Sequence, residues 1–136
     1  MKLISPPKNI YIASSKITDP QNSNFKAGKG VFALKDIKIG EIIEIVPILV
    51  MDFQEFIDTK WNKLFGYYFW LDDFVILALG YGSLYNHSKN PNAKYEVKRA
   101  DETITFTALR NIKKDEEILF DYSGSSGNKA PLWFER

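Results

Sequence analysis

The 136-residue sequence contains no cysteine, a single histidine and three arginines against fifteen lysines. Without cysteine there is no disulfide scaffold, no thiolate nucleophile and no cysteine-ligated zinc or iron–sulfur centre. One histidine, His87, cannot form a histidine cluster around a metal and leaves little room for a Ser-His-Asp triad. Scarce arginine disfavours bidentate phosphate recognition as the main task. The charges nearly cancel, 18 basic against 17 acidic, so there is no electrostatic case for nucleic acid. The longest apolar runs, Ile45–Met51 and Phe74–Leu79, fall far short of the ~20 residues that span a bilayer. Residues Met1–Pro7 show neither an apolar core nor a small-residue cleavage site, and an intracellular protein is expected. Chemistry must therefore come from Tyr, Asp, Glu, Lys, backbone groups or a bound organic cofactor.

What is present is the balance of a soluble globular chain, 45% apolar and 26% charged. This length suits one domain over residues 1–136, since two would each be too small for a core. The local signal is mostly β. Strands are predicted at Lys8–Ala13, Val31–Leu34 and Glu41–Val50, the last with Pro47 near an edge or bulge. Tyr67–Leu71 and Phe74–Leu79 flank Asp72-Asp73 and read as a hairpin. Lys94–Arg99 and Thr103–Leu109 form the clearest hairpin, with Tyr95 and Val97 alternating in one arm and Ile104, Phe106 and Ala108 in the other. A short strand at Ile118–Tyr122 closes the series. Asp52 can cap a helix from Phe53 to about Leu64, on which Phe53, Phe56, Ile57 and Trp61 recur at helical spacing.

Three stretches do not read as scaffold. Gly28-Lys29-Gly30-Val31-Phe32-Ala33 places two glycines just before a strand, where backbone can approach a ligand closely. It is no dinucleotide fingerprint, because a third glycine is missing and a strand follows. Asn86-His87-Ser88-Lys89-Asn90-Pro91-Asn92 is a polar turn between apolar segments. Glu116-Glu117-Ile118-Leu119-Phe120-Asp121-Tyr122 begins as a charged turn and ends with two aromatics on one face. Singly, each has a plain reading as tight turn, satisfied histidine or buried aromatic pair.

Together and in this order, the three stretches resemble the SET-domain protein lysine methyltransferases, across roughly residues 8–134. The layout is most similar to the minimal viral and bacterial members. The resemblance implies a mostly β fold, the β-clip of small packed sheets, with one or two short helices and a C-terminal pseudoknot. It implies a variable insert at about 47–66 and an aromatic tail at about 123–136. S-adenosylmethionine would be the cofactor, bound by Gly28, Lys29, Gly30, Asn86, His87, Tyr122 and Trp133. Asn86 would meet the amine or carboxylate of its methionine end, and the His87 main chain its adenine edge.

The knot would bring Tyr122 beside Asn86 and His87, against the usual rule that chains do not thread loops. Tyr122 and Tyr67 are the expected catalytic residues, and Phe69, Tyr81, Tyr95 and Phe120 the expected lining of a substrate channel. In such a reaction a neutral lysine amine attacks a methyl on sulfur. A lysine of pKa about 10.4 must shift by roughly three units, about 4 kcal/mol, to be half neutral near pH 7.4. A sulfonium about 4 Å away supplies ~4 kcal/mol of repulsion at an effective dielectric of 20, so no histidine or carboxylate base is required. Phe120 leaves room for several methyl groups and a Tyr95 hydroxyl would restrict them, so their number stays open.

Two departures stand out. Asp115 replaces the family's usual glycine before Glu-Glu, and with no cysteine the zinc site that closes the channel in many members is missing. Trp133-Phe134 are the aromatics available instead, with Trp133 against the adenine, over the channel mouth or simply in the core. The expected partner is a protein or peptide lysine, a histone tail being one candidate, which would imply a nuclear or host-delivered enzyme. No nucleic acid, membrane or metal is expected, and a homodimer is allowed. The alternative reading is a SET-fold module that binds cofactor or peptide without turnover.

Overall fold

A computed structural model describes residues 4–17, 28–58, 60, 64, 67–71 and 73–122. Three small sheets carry the fold. Strands β1 (Ile10–Ser14) and β2 (Lys29–Ala33) pair antiparallel, with Ile12 opposite Val31. The central sheet contains β3 (Ile42–Asp52), β4 (Tyr68–Leu71), β5 (Phe74–Ala78), β7 (Ala93–Lys98) and β8 (Thr103–Ala108) in the order β4-β5-β3-β8-β7. Strands β6 (Asn86–His87) and β9 (Leu119–Phe120) form a short parallel pair. The mostly β architecture agrees with the sequence reading.

Strand β3 exchanges partners along its length, and Pro47 sits at the exchange. Residues up to Pro47 pair with β8, and Ile48–Asp52 pair with β5. A residue without an N–H is tolerated where a strand passes from one neighbour to the next. The register also shifts between Ile42 and Glu44, the irregularity expected near this proline appearing instead at the strand's start. Residues 47–52, placed by the resemblance at the front of a variable insert, are strand.

The helix is shorter than predicted. Asp52 caps it as expected, accepting the Glu55 N–H at 2.8 Å, but α1 runs only from Phe53 to Ile57. None of its residues is buried; Phe53 and Ile57 are each 49% exposed. Phe56 reaches the sheet edge-on to Trp70 at 4.8 Å and Tyr68 at 5.8 Å, and Phe53 meets Trp70 at 6.4 Å. Spacing alone suggested an apolar stripe, but without a buried face a helix this short lacks the packing that sustains it. Trp61 of that stripe lies outside the described residues.

The β7–β8 hairpin forms as expected, and its register sets Tyr95 opposite Phe106 and Val97 opposite Ile104. Ile104, Phe106, Tyr95, Tyr85 and Phe120 are fully buried beneath it. Each large apolar side chain so buried contributes roughly 1.5–3 kcal/mol.

Residues 116–120 run between β2 and the 86–92 turn. On one side Ala33 N–H donates to Glu116 O and Ile118 N–H to Val31 O. On the other, Ser88 N–H donates to Phe120 O and Asn92 N–H to Leu119 O. This two-sided embrace is what forces β6 and β9 into a parallel pair. The turn leading into it holds Asp115 at φ 68°, a left-handed conformation natural to the family's glycine. Aspartate tolerates that region, and its carboxylate accepts the Tyr11 hydroxyl at 2.8 Å. Asp115→Gly should accordingly leave stability within about 1 kcal/mol of wild type, while β-branched Asp115→Val lowers it by about 1–3 kcal/mol. Urea denaturation of the three proteins measures both.

Candidate active site

The first and second motifs meet directly. Asn86 Nδ2 donates to the Lys29 carbonyl and to Glu117 Oε2, both at 2.9 Å. Glu117 also accepts the Ser15 hydroxyl, at 2.8 Å to one oxygen, and the Lys16 N–H at 3.2 Å. The charged half of this turn is not a solvated surface: Glu117 is the post on which β1, β2 and β6 converge. Gly30 is what lets it approach. A Cβ there would stand 2.4 Å from Glu117 Oε2 and 3.1 Å from Asn86 Nδ2. Glu117 could swing away only by giving up its donors, so Gly30→Ala should lower stability by about 1–3 kcal/mol. Thermal melts, with calorimetry of S-adenosylhomocysteine binding, would register that loss together with weakened affinity.

Tyr122 is fixed at three points. Its N–H donates to His87 Nδ1 at 3.1 Å, its carbonyl accepts the Tyr95 hydroxyl at 2.7 Å, and its own hydroxyl donates to the Tyr85 carbonyl. Because His87 Nδ1 accepts, that nitrogen carries no proton, and the Asp121 carboxylate 3.8 Å from it is not an ion pair. The His87 side chain thus holds the Tyr122 backbone at this nitrogen and packs against the Tyr122 ring. Burial foremost, then the nearby Tyr67 and Glu117, push the Tyr122 phenol well above its usual range. It stays protonated at neutral pH and cannot serve as a base.

An aromatic cluster surrounds this tyrosine. Phe69 stacks on Phe120 at 5.8 Å and meets Tyr95 edge-on at 5.1 Å, and Phe120 lies 5.1 Å from Tyr122. Tyr67, half exposed, approaches Tyr122, whereas Tyr68 meets Phe56 of α1. Two expected lining residues have partners of their own. Tyr95 is buried with its hydroxyl on the Tyr122 carbonyl. Tyr81 makes no ring contact with this cluster among the described residues; its N–H donates to Glu44 on β3. Trp133 and Phe134 lie outside the described residues.

A SET-domain profile matches residues 28–123, the span that contains all three motifs. The chain belongs to the SET-domain family. Among relatives of this SET protein, a Schizosaccharomyces pombe histone-lysine N-methyltransferase, H3 lysine-37 specific, is 35% identical over 112 residues, covering 81% of this chain and 72% of that protein. A crystal structure of a candidate histone methyltransferase from Plasmodium falciparum is 36% identical, with TM-score 0.66, covering 87% of this chain and 96% of that one. The ctPRC2 complex bound to S-adenosylmethionine matches in fold, at TM-score 0.66 and 20% identity, over 92% of this chain and 16% of that one. By family this SET protein is a protein-lysine methyltransferase.

Two positions that tie the segments of this SET domain together were given no role by the sequence reading. Asn92, 2% exposed, donates to Glu116 Oε2 and the Glu117 carbonyl and accepts the Leu119 N–H. Its neighbour Glu116 is desolvated, which raises a carboxyl pKa, yet Asn92, the Lys113 N–H and Arg110 together hold it below the usual range. The other is Glu117. The Pro-Asn and Glu-Glu pairs were visible as motifs, but nothing in their spacing said which atoms they join.

Proposed function

We propose that this protein transfers a methyl group from S-adenosylmethionine to the side-chain amine of a protein lysine, on a histone tail in the first instance. The observation that carries the reading is Tyr122, a residue anchored at three points with a protonated hydroxyl, beside the junction of Gly28–Gly30 with Asn86. That junction suits a cationic ligand. Asn86 uses its amide hydrogens on Lys29 O and Glu117, which leaves Oδ1 as an acceptor for an ammonium and not a donor for a carboxylate. The Glu117 carboxylate adds negative charge, and Gly28 at φ 79° leaves open space above its backbone.

Gly28–Gly30, Asn86 and His87 would hold the cofactor, which when bound supplies an electrophilic methyl on a positively charged sulfur. The chain's own contribution is positioning and dehydration. Phe69, Phe120 and the Tyr122 ring form an apolar wall that disfavours a charged lysine, the direction in which desolvation moves any amine. The Tyr122 hydroxyl, its proton held by Tyr85 O, turns its lone pairs outward to align the reacting groups. Aromatic faces also accept a methylated ammonium by cation–π attraction.

The histone preference rests on the relatives' substrates. Among the described residues no helix is long and apolar enough to cross a membrane. The test is transfer of labelled methyl from S-adenosylmethionine to core histones and H3 peptides, with the product located by mass spectrometry. Methylated lysine is expected. Tight cofactor binding with no product on any protein mixture would instead show a binding module.

A further inference from the structure

Among the described residues, Glu44 is a carboxylate that the proposed chemistry leaves unused. It lies on β3 in the central sheet, 4% exposed, where an apolar residue would fit the alternation. Oε1 accepts the Tyr85 hydroxyl at 2.8 Å and Oε2 the Tyr81 N–H at 3.1 Å. The 79–82 turn closes tightly over it, so tightly that a Cβ on Gly80 would come 2.9 Å from Oε2. Burial raises the Glu44 carboxyl pKa, and its two hydrogen bonds pull it back.

A carboxylate in such a place is expensive to bury and weak evidence of stability. Its geometry points elsewhere. Tyr85 is held at its hydroxyl by Glu44, along its ring by Phe106 stacked at 4.5 Å, and at its carbonyl it receives the Tyr122 hydroxyl. We infer that Glu44 is a positioning residue: through the Tyr85 hydroxyl it fixes the carbonyl that aims the Tyr122 hydroxyl at the reacting groups. The inference rests on the proposed role of Tyr122 but makes a separate demand on the structure. Glu44 lies on the far side of Tyr85 from that hydroxyl, so its effect reaches the site through one side chain and one carbonyl. Cofactor contacts at Gly28–Gly30 and Asn86 are untouched by it.

The test is the paired variant Glu44→Leu/Tyr85→Phe, which removes the carboxylate and the hydroxyl together and costs the Tyr81 N–H its acceptor. Three readouts are taken: thermal melting, the split between kcat and cofactor affinity, and the Tyr122 hydroxyl proton by NMR. A folded protein is expected in which S-adenosylhomocysteine affinity stays within about twofold and kcat falls ~10–100-fold. The Tyr122 hydroxyl resonance should move and exchange faster with water. Unchanged kcat and an unchanged hydroxyl signal in the folded double variant would reduce Glu44 to core packing and overturn the inference. If the double variant fails to fold, Glu44→Gln, which keeps volume and one acceptor, is read by the same measurements. If wild type methylates nothing, the proposed function fails by itself, and the hydroxyl resonance still decides whether Glu44 positions Tyr122.

Discussion

Replacing Tyr122 with phenylalanine should slow methyl transfer by about 100–1000-fold while cofactor affinity stays close to wild type. The ring would remain in place, because two of its three anchors are backbone atoms: N–H to His87 Nδ1 and carbonyl from the Tyr95 hydroxyl. Phe69, Phe120 and His87 still pack around it. Only the hydroxyl and its bond to Tyr85 O would go. Losing that donor leaves a carbonyl without its partner, for about 1–3 kcal/mol of stability. Single-turnover kinetics with labelled cofactor separate this from a binding defect, since a fall confined to kcat marks an interaction made in the transition state. Equal rates in the two proteins would remove Tyr122 from the chemistry. The protonated state also fixes the pH behaviour: burial foremost, with Tyr67 and Glu117 nearby, keeps the phenol above its usual range, so no rise in rate from Tyr122 ionisation is expected between pH 6 and about 9.

Asn92→Ala is expected to be the most destabilising single change outside the apolar core, at about 3 kcal/mol. The side chain is buried and uses three hydrogen bonds: Nδ2 to Glu116 Oε2 at 2.9 Å and to Glu117 O at 2.8 Å, and Oδ1 from Leu119 N–H at 2.8 Å. Alanine would leave the Leu119 donor and the Glu117 carbonyl unpaired where the chain passes through the 86–92 turn. It would also release Glu116 to Arg110, which lies 3.0 Å away, and to the Lys113 N–H. For a chain of this size the melting temperature should fall by roughly 10 °C. Because Asn92 ties the segment that carries Tyr122, loss of activity should accompany the loss of stability and recover on cooling. A melting temperature within a degree or two of wild type would show that water or neighbouring groups replace these bonds.

Hairpins were legible because their information is local. Alternation and turn residues place Tyr95 opposite Phe106, and no distant contact is needed to decide it. The helix was over-extended for the opposite reason: helical spacing predicts a stripe, but only packing shows whether anything covers it, and Phe53 and Ile57 face solvent. At the site, the family's motifs name Gly28–Gly30, Asn86, His87, Phe120 and Tyr122 together, and the fold joins Asn86 to Lys29 and His87 to Tyr122. Tyr81 and Tyr95 were expected in a channel lining; the Tyr81 N–H donates to Glu44 and the Tyr95 hydroxyl to the Tyr122 carbonyl. Glu44 gave no signal, since one acidic residue in an apolar strand looks like an edge position until its neighbours are known.

Residue types and their order therefore determined the class of chemistry. With no cysteine and one histidine, thiol, cysteine–metal and histidine-cluster routes were closed before any coordinate was known. The three motifs then named the family. Tertiary structure decided which atoms do the holding. His87 and Tyr122 are 35 positions apart, and Ser15 and Glu117 are 102 apart. Hydrogen bonds over such separations depend on how the chain threads, and threading is settled by buried surfaces and paired backbone groups that no local pattern encodes.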